Sequence, residues 1–215
     1  MNMRINKFIS RVFVVAVCLN LVACAPVLIG TAAVGTTSVA VDRRSAGDVA
    51  NDSLIETKAA LHLTQTAFVS SHITTTSFEG NVLLSGEIGS ETDKEKAGEI
   101  VQSIYEVNQV FNELKVMPNA SLTSRMSDSV TAGKVRAALV DNKDITLTSL
   151  KVVVEQGTCY LLGSVTNAES EKIATTASKV SGVQQVVKLF KIISEEELKK
   201  RTVARKSTET SDVSE

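Results

Sequence analysis

From about residue 51 onward, apolar and polar positions follow one another in an order that the chain states twice. Gly80-Asn81-Val82-Leu83-Leu84-Ser85-Gly86 returns 77 residues later as Gly157-Thr158-Cys159-Tyr160-Leu161-Leu162-Gly163. Val107-Asn108-Gln109-Val110 returns after 76 as Val183-Gln184-Gln185-Val186, and Lys58-Ala59-Ala60-Leu61 after 78 as Arg136-Ala137-Ala138-Leu139. Preserved order with a spacing that drifts by single residues indicates a duplicated domain with small loop changes.

Each copy parses alike. The pattern predicts a first helix from 52 or 53 to about 63 and again from 128 or 129 to about 141, with Asp52, Ser53, Asp128 and Ser129 as N-cap candidates. Thr131, Val135, Ala138 and Leu139 recur at helical spacing and predict the core face of the second of these. A first strand follows at about 72–78 and 146–155, then a glycine-led turn, then a second strand as a hairpin. In that strand Val82 and Leu84 share a face, as do Cys159 and Leu161, so Cys159 stands where the first copy has a core valine and is read as a small buried hydrophobe. Gly86 and Gly163 close the strand, which suggests close packing or a special dihedral. A second helix at about 91–105 and 168–179, with Thr92 and Asn167 near its starts, and a last strand at 109–116 and 184–193 complete the unit. The fold class is α+β: two tandem α-β-β-α-β domains, each a three-stranded mixed sheet covered by two helices, over residues 51–117 and 127–193.

The first 50 residues follow another rule. Arg4, Lys7 and Arg11 precede an apolar run over 12–22 that is too short to span a bilayer and ends in Leu21-Val22-Ala23-Cys24. This resembles a lipobox, which implies cleavage after Ala23, a signal peptide of residues 1–23, and diacylglyceryl and N-acyl chains on Cys24; several chains on one residue anchor stably. Cys18 is a poor rival, since bulky Val17 would precede the cut. Ala25 stands where an aspartate would mark inner-membrane retention, so the expected address is the outer membrane, on its periplasmic face. Residues 24–50, rich in Gly, Ala, Thr and Val, read as a tether, and 194–215 as a fraying helix that runs into a flexible polar tail.

Paired glycines around a V-x-L strand, an amphipathic helix and a V-x-x-V strand resemble the BON domain of bacterial envelope proteins. With the lipobox and tether, the chain is similar to dual-BON outer-membrane lipoproteins. That resemblance implies phospholipid binding through the second domain, a part in outer-membrane integrity, and placement at division sites.

Charge separates the copies. Residues 51–117 hold four basic and ten acidic side chains, net −6, whereas 127–193 hold eight basic and six acidic, net +2. Each Lys or Arg beside an anionic leaflet is worth about 1 kcal/mol, so the second copy is the expected membrane-facing one. On its first helix, Val130, Lys134, Ala137 and Asp141 fall along one flank and Arg136 and Val140 on another. Val130 would dip among acyl chains while Lys134 and Arg136 meet phosphates, giving Val130, Lys134, Arg136, Ala137 and Val140 as lipid-binding candidates. The resemblance implies an aromatic at the position of Val130, and valine there predicts weaker insertion.

Other chemistry has few parts to work with. Once Cys24 is acylated only Cys159 remains of the mature cysteines, which excludes an internal disulfide and a Cys-rich metal site. His62 and His72 complete no Ser/His/Asp or Cys/His set at motif spacing, and Glu91, Asp93, Glu95 and Glu99 read as a solvated helix face. The expectation is a non-enzymatic protein with no cofactor beyond its acyl chains, no small-molecule substrate and no nucleic-acid partner, since there is no basic block and no Trp. A second reading makes it a periplasmic adaptor whose acidic first domain docks an envelope protein.

Overall fold

A computed structural model describes residues 44–66, 68, 71–142, 145, 150–201 and 203, all within one compact unit, Val39–Glu215. The order is α1 (Ala46–Gln65), β1 (His72–Phe78), β2 (Asn81–Ile88), α2 (Glu91–Gln102), β3 (Gln109–Asn112), β4 (Lys115–Val116), α3 (Leu122–Asp141), β5 (Leu150–Glu155), β6 (Thr158–Val165), α4 (Asn167–Ser178) and β7 (Gln185–Ile192). In each copy the central strand pairs antiparallel with the hairpin strand before it and parallel with the strand after the helix, which is the expected mixed sheet. In the first copy that last strand is split into β3 and β4, both beside β2. Leu114, in the break, is buried in the core.

The hairpin turns show why glycine stands where it does. Glu79 and Gly80 have φ of 48° and 76°, and Gln156 and Gly157 have 48° and 73°, the two-residue turn with both centres left-handed that matches strand twist. Gly86 has φ +113° and a Cβ there would stand 2.0 Å from the His72 carbonyl oxygen, so the backbone admits no side chain. Gly163 adopts no such angle.

Two helix starts differ from expectation. α1 begins at Ala46 and α3 at Leu122, capped by Ser45 and Ser121, so residues 46–50, read as tether, are helical. Asp52 and Asp128 are not caps. They lie buried in mid-helix, and their carboxylates accept the backbone N–H groups of the hairpin turns: Glu79 and Gly80 at 2.9 and 3.0 Å, Gln156 and Gly157 at 2.9 and 3.2 Å. The residue type was a sound sign of an orphan N–H nearby, but the N–H belongs to a turn far along the chain. The second helices start at the caps Ser90 and Thr166, just ahead of the residues expected.

Each helix pair covers one face of its sheet. Ile55, Ala59, Leu63, Val82, Leu84, Ala97 and Val101 form one core; Val135, Leu139, Val152, Cys159, Leu161, Ile173 and Ala177 form the other. Cys159 is fully buried, and burial pushes its thiol up to about 11. The opposite faces of the two sheets meet each other: Phe78 and Leu83 pack with Tyr160, Leu162 and Leu189 in a third apolar layer. The sequence left open whether the copies touch, and in the structure they share a core.

That contact is reciprocal, as expected for two copies of one ancestor. The Gln156 amide in the second hairpin turn donates to Glu87 at 2.6 Å, and Glu79, its counterpart in the first turn, accepts from Ser164, the counterpart of Glu87, at 2.9 Å. Glu79 also takes Lys191 at 3.0 Å and Arg201, from a helical stretch over 195–201, at 2.6 Å. Lys151 pairs with Glu56 at 2.6 Å. Part of the charge difference between the copies is therefore spent on holding them together.

Candidate membrane interface

α3 carries two apolar faces. Thr131, Ala132, Val135 and Leu139 are buried on the inner one. On the outer one Leu122, Met126, Val130 and Val140 are 76%, 70%, 58% and 70% exposed. With the exposed Gly133 and Ala137 they recur at intervals of four and three residues, so all six lie along one stripe. The helix of 20 residues makes that stripe about 27 Å long. Small residues in its middle leave the flanking side chains standing proud.

Lys134 is exposed at the edge of the stripe and makes no ion pair among the described residues. Arg136 is exposed along its stem, but its Nη2 donates to the Val152 carbonyl at 2.7 Å, so its charge is held toward β5. Of the five residues anticipated, Val130, Lys134, Ala137 and Val140 thus share the outer surface, and Arg136 stands apart with its guanidinium turned to the sheet. Leu122 and Met126, the largest apolar groups of the stripe, were missed because the helix was started too late. The signal was available: Ser121 is a good cap, Pro118 forbids much more helix upstream, and Leu122, Met126 and Val130 are spaced by four. Cys24, the expected acylation site, and the expected cut after Ala23 lie outside the described residues. No helix among the described residues is long and apolar enough to cross a membrane.

Comparison with known proteins agrees with this architecture. The BON domain family model matches residues 51–118 and 127–194. "Outer membrane lipoprotein DolP" of Haemophilus influenzae is 32% identical over 172 residues, covering 79% of this chain and 89% of that protein. The "21 kDa hemolysin" of Actinobacillus pleuropneumoniae is 26% identical over 155 residues, 71% of this chain and 80% of that one. Among solved structures, the C-terminal domain of CdsD, a structural protein of the type III secretion system of Chlamydia trachomatis, aligns with 13% identity and a TM-score of 0.27 over 64% of this chain and 96% of that one. That last likeness is too slight to bear on function. Two matched copies, each with the helix-covered mixed sheet described above, make this chain a member of the BON domain family with the domain in tandem.

Proposed function

We propose that this protein is a non-enzymatic outer-membrane lipoprotein, fastened through acyl chains on Cys24, that binds anionic phospholipid through α3 of its second BON domain and so supports envelope integrity, including at division sites. The observation that carries the reading is the solvent-facing apolar stripe on α3. A helix already packed on its domain has no structural need of a second apolar face, and one bordered by Lys134 suits the boundary between acyl chains and headgroups. The named relative supplies the membrane address by similarity. Burying a Leu, Met or Val side chain fully is worth about 1.5–3 kcal/mol, so at these exposures each contributes roughly 1–2 kcal/mol.

Vesicle flotation of a soluble form spanning residues 39–215 tests this. It should float with phosphatidylglycerol-containing vesicles more than with phosphatidylcholine alone, and less at high salt. Replacing Leu122 and Met126 by Ser should remove about 2 kcal/mol or more, a loss of about thirtyfold in partitioning. Equal binding to neutral and anionic vesicles, or no loss in the double variant, would overturn the reading.

Two observations favour the adaptor as a second role. Tyr105 is 97% exposed, and a groove of about 650 Å³ nearby on the first domain is lined by Glu95, Glu99, Gln102 and Val110. Site-specific crosslinking from 95, 99 and 105 should then trap a basic envelope protein, lost on reversal of Glu95 and Glu99.

A further inference from the structure

The two ends of the sheet-to-sheet contact are related by the duplication, yet they are chemically unlike. At one end Glu79, its side chain 8% exposed, is met by Ser164, Lys191 and Arg201. At the other, two buried carboxylates converge with an imidazole. The antiparallel register of β1 and β2 places His72 opposite Glu87, on the face turned toward the second domain. Glu155, the last residue of β5, comes from that domain.

Potential ligand atoms of His72, Glu87 and Glu155 all lie within 4.8 Å of one another. Glu87 is fully buried and Glu155 is 8% exposed. His72 Nδ1 and Glu87 Oε2 are 3.5 Å apart, and neither has a hydrogen-bond partner among the described residues. Buried polar atoms are nearly always paired, so two orphans facing each other point to something that belongs between them. The other oxygen of Glu87 is held by Gln156 Nε2, which leaves Oε2 aimed into the cluster.

We propose that His72, Glu87 and Glu155 bind a divalent transition-metal ion, Zn²⁺ by their chemistry, across the boundary between the two BON domains. Zinc takes imidazole nitrogen and carboxylate oxygen at about 2.0–2.2 Å in a tetrahedron, which sets neighbouring donors about 3.4 Å apart. The His72–Glu87 spacing of 3.5 Å is close to that distance, and the Glu155 oxygen lies within 4.8 Å of both. Two carboxylates neutralise the charge of the ion. Ca²⁺ and Mg²⁺ favour all-oxygen shells, so the imidazole argues against them. A cavity of about 380 Å³ lined by His72, Arg125, Asp128 and Glu155, among others, adjoins the cluster and leaves room for a fourth donor. The Gln156 bond is the kind of outer contact that orients a ligating carboxylate. A metal here would clasp the first domain to the second.

The full chain in detergent, stripped with a chelator and dialysed against Zn²⁺, should retain one ion per chain by elemental mass spectrometry and unfold at a higher temperature than the stripped form. Co²⁺ should give visible d–d bands that Zn²⁺ bleaches. Glu155→Gln and Glu87→Gln should each weaken Zn²⁺ binding by at least about tenfold while keeping the shape of the pocket. His72→Gln, at a partly exposed position, supplies the test should a buried substitution unfold the protein. Retention below about a tenth of an ion by the native chain, or binding within twofold of native in folded His72→Gln, would overturn the assignment.

Discussion

Asp52 is a single carboxylate that ties α1, a hairpin turn and Arg44 together, and its replacement has a calculable outcome. Oδ1 accepts from Ser77 Oγ at 2.7 Å and Gly80 N at 3.0 Å; Oδ2 accepts from Glu79 N at 2.9 Å and Arg44 Nη1 at 2.7 Å. Asparagine keeps the shape but only one acceptor oxygen. With that oxygen toward Glu79 and Arg44, its amide can donate to the Ser77 hydroxyl, and Gly80 N–H is left facing a donor. An orphaned buried donor costs about 1–3 kcal/mol, and taking the carboxylate from a buried ion pair brings the total to about 3–5 kcal/mol. Asp128→Asn provides the internal comparison, because Asp128 makes the same two turn contacts and has no cation bonded to it among the described residues. It should cost only about 1–3 kcal/mol. Urea unfolding of the 39–215 form at pH 7, followed by circular dichroism, reads both. The pH dependence follows from sign. Burial would raise the Asp52 carboxyl, but bonds from Ser77, Gly80, Glu79 and Arg44 outweigh it and hold it below the usual range. Its stabilisation is therefore fully present above the unfolded value of about 3.9 and is lost as pH falls through the folded one. The gap between native and Asp52→Asn should be flat from pH 7 to 5 and close below about 4. Equal costs for the two asparagine variants, or a gap indifferent to acid, would refute the reasoning.

Other outcomes follow from the same contacts. Glu79→Gln weakens the hold on Arg201 and Lys191, so hydrogen exchange over residues 195–201 should quicken while the rest of α1–β2 is little changed. Gly182→Ala places a Cβ 2.6 Å from Thr131 Oγ1 at φ +102°, and should lower stability by about 1–3 kcal/mol in the same urea assay. Cys159, with its thiol raised to about 11 by burial, should resist iodoacetamide at pH 8 in the folded protein and react once it is unfolded, as read by peptide mass mapping.

The repeat, the strand order and the helix-facing core were legible because period and duplication both encode them: Val82 and Leu84, Cys159 and Leu161 sit on the faces their alternation assigns. The contact between the copies was legible too, but went unread. Val82-Leu83-Leu84 and Cys159-Tyr160-Leu161-Leu162 are unbroken apolar runs, and a strand apolar at every position is buried on both faces. Alternation explained half of each run and left Leu83, Tyr160 and Leu162 without a partner. The outer stripe of α3 was half visible, since Val130, Ala137 and Val140 lie within the expected helix whereas Leu122 and Met126 precede its expected start at 128 or 129. His72, Glu87 and Glu155 could not be joined from sequence at all. Their meeting depends on how the second domain lies on the first, and no local pattern records that.

The shared core also decides which experiment on lipid binding is meaningful. Cut away from the first domain, the second would expose Tyr160, Leu162, Leu189 and the half-buried Val153 and Val187 on one flat sheet face. Three of these are nearly fully buried in the intact protein, and at about 1.5–3 kcal/mol each their exposure forfeits about 5–9 kcal/mol as an upper bound. Such a face would drive an isolated 120–201 fragment to self-associate and to adhere to any vesicle, whatever its headgroups. The fragment should therefore sediment as an oligomer and bind neutral and anionic vesicles alike, even with Leu122 and Met126 replaced by Ser. In the 39–215 form the face is sealed, and only α3 remains to discriminate. Headgroup dependence in the longer form together with indifference in the fragment would place recognition on the helix. A fragment that stayed monomeric and ignored neutral vesicles would show that the sheet-to-sheet layer contributes far less than its buried area implies.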